Sequence, residues 1–96
     1  MIKHIVMWKL KDENKAENAS EMVARLAVLK NKIEEIKHIE AGVNINPAEV
    51  AYDVALYSEF ENEVSLSNYQ NHEAHQEVVK FIRSVTTSRV VVDYVC

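Results

Sequence analysis

Three side chains in this sequence could move protons together: His4, Tyr69 and His75. An imidazole titrates near neutral pH and can hold or accept a proton, and a phenol can give one up. A histidine pair in an apolar pocket, or a histidine beside a tyrosine, would therefore supply a general base and a general acid. A carbon acid next to a ketone, or a phenolic ligand, suits such a site. The competing reading is that His4 and His75 are buried, hydrogen-bonded to each other and structural, as buried polar groups commonly are. Trp8, Leu26, Val79 and Phe81 are the candidate ligand-lining side chains, although Trp8 and Phe81 could equally be plain core.

Other chemistries fare worse. His72 and His75 are three residues apart with Glu73 between them. The helical zinc-protease pattern needs two histidines four apart on one face, and no third ligand is fixed here, so no metal site is assigned. Cys96 stands at the end of the sequence, and Ser58, Ser65 and Ser67 lack the turn and base that activate a nucleophile. The single glycine, Gly42, excludes the glycine-rich loops that cradle phosphates, and no cofactor is expected.

The elements that must position these residues are legible from periodicity. Ile2–Leu10 is rich in β-branched and aromatic residues and reads as a strand. Alternation places Ile2, His4, Val6, Trp8 and Leu10 on one face and Lys3, Ile5, Met7 and Lys9 on the other. Asn14 with Glu17 resembles a capping box. Met22, Leu26, Leu29, Ile33 and Ile36 then make a one-sided stripe, which predicts a helix over 15–36. His38–Asn46 alternates as a half-buried strand ended by the turn at Pro47, and Tyr52–Phe60 alternates again. Residues 61–83 return to helical spacing, with a break near Gln70–Glu73. The second stripe is His75, Val78, Val79, Ile82 and Val85. Arg89–Val95 closes the chain as a strand apolar on both sides.

The order β-α-β-β-α-β, with right-handed crossovers, gives a ferredoxin-like α+β unit. Its first and third strands are central in a four-stranded antiparallel sheet, and its helices lie on one face. His4 and His75 then point into the same layer from opposite walls. Residues 1–96 form one domain, with no internal linker.

Hydrophobic residues make up 48% and charged residues 27% of the sequence, as in a soluble globular protein. The net charge is −4 and Lys and Arg form no cluster, which argues against nucleic acid as a partner. No apolar run approaches the ~20 residues that span a bilayer, so no membrane partner is expected. The lone cysteine makes a cytoplasmic location the expectation.

Two helices cover only one face of such a sheet. The other would present Ile5 and Met7 with Ala55 and Tyr57 and, for one register of the last strand, Val91 and Val95. An apolar patch on the order of several hundred Å² invites burial against a second copy. A homodimer with facing sheets, closed into a barrel, is the expected assembly.

Several segments carry a family resemblance. Lys3-His4-Ile5-Val6 with Lys9-Leu10-Lys11-Asp12, Tyr52–Leu56 with Ser58-Glu59-Phe60, Tyr69–His75 with Val78-Val79, and Val90–Tyr94 together resemble the stress-responsive A/B barrel (Dabb) family. The resemblance spans the whole chain and implies a dimeric α+β barrel. It implies less about activity, since most members have no assigned reaction. Some plant relatives are polyketide cyclases whose histidines match His4 and His75 and whose tyrosine matches Tyr69. Glu73 departs from the family's usual proline, and Leu26 stands where the cyclase branch has a further pocket tyrosine. The expected role is binding of a small hydrophobic or aromatic molecule between sheet and helices. The alternative is a cyclase-like or isomerase-like enzyme.

Overall fold

The computed structural model describes residues 1–96. Its elements are β1 (Ile2–Leu10), α1 (Lys15–Val28), a 3₁₀ turn (Leu29–Asn31), β2 (His38–Val43), β3 (Val54–Phe60), α2 (Glu63–Asn71), α3 (Glu73–Val85) and β4 (Thr86–Val95). The sheet runs β2-β3-β1-β4, with every neighbouring pair antiparallel and β1 and β3 in the centre. This is the ferredoxin-like arrangement.

The helices pack on the face of β1 that carries Ile2, His4, Val6, Trp8 and Leu10, all of them buried. Val54, Leu56, Ser58 and Phe60 of β3 share that face, because directly paired residues of an antiparallel ladder point the same way. Met22, Leu26, Leu29, Ile33 and Ile36 close the core from above. All five positions of the first stripe are buried, but the α-helix stops at Val28. Beyond it the chain tightens into the 3₁₀ turn and still turns Ile33 and Ile36 inward, so the stripe recorded burial past the point where regular helix ends.

The start of α1 also differs from expectation. Asn14 adopts a left-handed conformation with φ 52°, and its side chain makes no capping hydrogen bond. Asparagine tolerates that region better than most residues. No capping box forms. The second helical segment does break at His72, which caps α3: its Nδ1 accepts from the Ala74 N–H at 3.0 Å. Glu73 is thus the first residue of α3. Proline is favoured there for its fixed φ, and an acid is favoured by the helix dipole, so the departure from the family pattern is locally neutral.

On the far face of the sheet, Gly42, Ala55, Met7 and Val90 form one cross-strand row and Glu40, Tyr57, Ile5 and Val92 the next. His38, Glu59, Lys3 and Tyr94 form a third, where Lys3 Nζ lies 3.0 Å from Glu59 and the Tyr57 hydroxyl donates to the same carboxylate at 2.6 Å. Met7, Val90, Val92 and Tyr94 are exposed. The register corrects one expectation: Val91 and Val95 pair with Val6 and Ile2, so they lie on the helix side, and Val90, Val92 and Tyr94 take the open face. β4 is apolar on both sides, so its composition carries no phase.

Candidate functional site

β1, α2 and α3 bring His4, Tyr69 and His75 together beneath the helices. The Tyr69 ring centroid is 4.4 Å from that of His75 and 6.2 Å from that of His4. Phe60 backs the cluster, 4.8 Å from Tyr69 and edge-on to His4 at 6.3 Å.

The histidines do not hydrogen-bond each other, contrary to the structural reading above. His4, 2% exposed, pairs through Nδ1 with the carboxylate of Asp93 on β4, its cross-strand partner. His75 Nδ1 lies 3.0 Å from the Gln70 carbonyl at the end of α2. A carbonyl can only accept, so this nitrogen carries a proton and donates it. In neutral His75 the lone pair therefore resides on Nε2, which has no partner within the chain.

Tyr69 is fully buried, and its hydroxyl is the one buried side-chain polar atom without a hydrogen bond. Burial raises the phenol's pKa, so Tyr69 stays protonated and available as a donor. His75 moves the other way. Burial lowers its pKa below the ordinary 6.5, with smaller contributions from the charges of His4, Arg89 and His72 against the opposing Gln70 hydrogen bond.

That direction has a consequence for stability. The unfolded chain takes up a proton near pH 6.5 that folded His75 refuses until lower pH. Its contribution is present in full above the unfolded pKa and is lost as pH falls through the folded one. His75→Gln should therefore flatten the loss of stability between about pH 7.5 and 5, read as urea midpoints at each pH. A variant that loses stability on acidification as steeply as the wild type would contradict this.

These residues line a cavity of about 600 Å³, within the range of small-molecule sites. Its apolar wall includes Val6, Trp8, Leu26, Leu56, Val79 and Ile82. Trp8, Leu26 and Val79 are thus at the cavity, and Leu26 brings no polar group to it. Phe81 is not. It lies six residues beyond His75, about 120° round the helix, and stacks instead against Arg25, whose guanidinium carbon is 4.0 Å from the ring centre. His72 spends its Nδ1 on the helix cap. Asp93 and Arg89 are the site residues that sequence reasoning missed, since both depend on the phase of β4.

Residues 2–96 match the model of the stress responsive A/B barrel domain, Dabb. The chain belongs to the Dabb family. It is 32% identical over 96 residues to the uncharacterized protein SCO4036 of Streptomyces coelicolor, covering 98% of each. Among solved structures, a dimeric protein of unknown function and ferredoxin-like fold from Bacteroides fragilis superposes with a TM-score of 0.89 at 37% identity, covering 97% of this chain and 93% of that one. A dimeric ferredoxin-like protein of unknown function from Thermobifida fusca gives 0.89 at 24% identity, covering 99% and 90%, and speaks to the fold alone. In this Dabb chain no helix is long and apolar enough to cross a membrane.

Proposed function

We propose that this Dabb protein is a cytoplasmic homodimer that binds a small hydrophobic or aromatic molecule in the cavity between its sheet and helices. The observation that carries the reading is the buried Tyr69 hydroxyl, unpaired beside that cavity. An orphaned buried donor is costly, on the order of 1–3 kcal/mol, and a bound acceptor would relieve it. The dimer is supported by the exposed apolar rows of the open face and by the dimeric description of the Bacteroides fragilis structure.

The test is mass spectrometry of small molecules that co-purify with the native protein, set against Val79→Trp. The larger side chain intrudes on the cavity where the ligand's body would lie, so the bound compound should disappear from the variant while the fold persists. A compound retained equally by both, or none in the wild type, would count against the reading. A second reading, an acid–base enzyme, draws on the unpartnered Nε2 of His75, whose ring lies 4.4 Å from that of Tyr69.

A further inference from the structure

The open side of the cavity carries a charge pattern at odds with the rest of the chain. The protein is acidic, with 15 Asp and Glu against 11 Lys and Arg. Yet none of the 18 residues lining the cavity is a carboxylate, and two are arginines, Arg83 and Arg89. Asp93, on the same face of β4 as Arg89, is engaged by His4. Arg89 pairs with buried Trp8 in the β1–β4 ladder, which sets it on the helix side of the sheet, and Arg83 comes down from the last turn of α3. Both are exposed, and neither makes a salt bridge or a side-chain hydrogen bond, whereas Arg25 pairs with Glu21 and Lys3 with Glu59. Gln70, Gln76, Thr86, Thr87 and Ser88 add polar groups to the same lining.

We propose that the cavity selects an amphiphilic organic anion, whose aromatic or apolar body lies against Trp8, Leu26 and Val79 and whose anionic head is held by Arg89 with Arg83. The inference rests on the small-molecule reading above and names its ligand class. A planar guanidinium offers several N–H donors to a carboxylate, sulfonate or phosphate oxygen. The charge of Arg89 is already felt inside the site, where it opposes protonation of His75 and favours ionisation of Tyr69. An anion seated there would weaken both effects.

Two probes with the same body separate charge from shape: 1-anilinonaphthalene-8-sulfonate, which is anionic, and N-phenyl-1-naphthylamine, which is neutral. Binding is followed through the ring resonances of His75, so that dye on the open sheet face does not register. At low ionic strength the sulfonate should bind about tenfold tighter than the neutral dye, and the gap should narrow with added salt. Arg89→Gln with Arg83→Gln should abolish the gap and leave the neutral dye unaffected. Equal binding of the two dyes to the wild type, with no effect of either substitution, would overturn the anionic selectivity while leaving the pocket in place. Failure of both dyes to perturb His75 would overturn the pocket reading together with it.

Discussion

In the proposed homodimer, Val92→Glu is expected to separate the two copies and leave a folded monomer. Val92 lies on the open face in the row with Ile5 and Tyr57, and is 59% exposed in the single chain. Met7 and Val90 form the adjacent apolar pair, 41% and 43% exposed. In a dimer with facing sheets these side chains would be the centre of the interface, and interfaces of this kind bury roughly 800 Å² per partner. A carboxylate placed among these apolar rows would be taken out of water when the face is covered by the partner's own apolar rows. Desolvating an unpaired charge costs several kcal/mol, so the dissociation constant should rise at least about 10³-fold. Light scattering reads the mass, and far-UV circular dichroism shows that the sheet survives. A variant that keeps the dimeric mass down to the same concentration as the wild type would remove the open face from the interface.

The fold was legible because burial on one side leaves a period in the sequence. Alternation in β1 put His4 with Val6 and Trp8 under the helices, and all three are buried there. The second stripe placed His75 and Val79 on the inward side of α3, where both line the cavity. Legibility failed where that period is missing. The run Val90-Val91-Val92 of β4 is apolar on both faces, so nothing local says which residues look toward the helices. The ladder with β1 decides it, 89 residues away along the chain for the His4–Asp93 contact. For the same reason Asp93 and Arg89 carry no signal as site residues in the sequence, and the placing of Val91 and Val95 on the open face holds only for a register that the ladder does not adopt. Phe81 differs in kind: an aromatic beside the stripe is a candidate for the cavity lining by its type alone, and its angle on the helix turns it toward Arg25 instead.

Tyr69→Phe should stabilise the protein while impairing its site, the reverse of what most core substitutions do. The phenol is fully buried and its oxygen has no partner, so the fold carries the desolvation of a hydroxyl without a compensating bond. Phenylalanine preserves the ring that packs 4.8 Å from Phe60 and 4.4 Å from His75, and it removes only the oxygen. Stability from urea unfolding should rise by about 1 kcal/mol. Affinity for an acceptor-bearing aromatic, read with acetophenone, should fall by roughly tenfold. A destabilised variant with unchanged affinity would mean that the hydroxyl serves the fold. The same substitution divides the two readings of the site. If Tyr69 only binds, any turnover of an aromatic ketone is untouched once the ligand saturates. If it is a general acid working with His75, saturated turnover should drop about 10²–10⁴-fold, and His75→Ala should lower it by a similar factor rather than multiply the loss. Strain of this sort, a stability sacrifice concentrated at one unpaired donor, is what a site selected for its ligand rather than for its packing would leave behind.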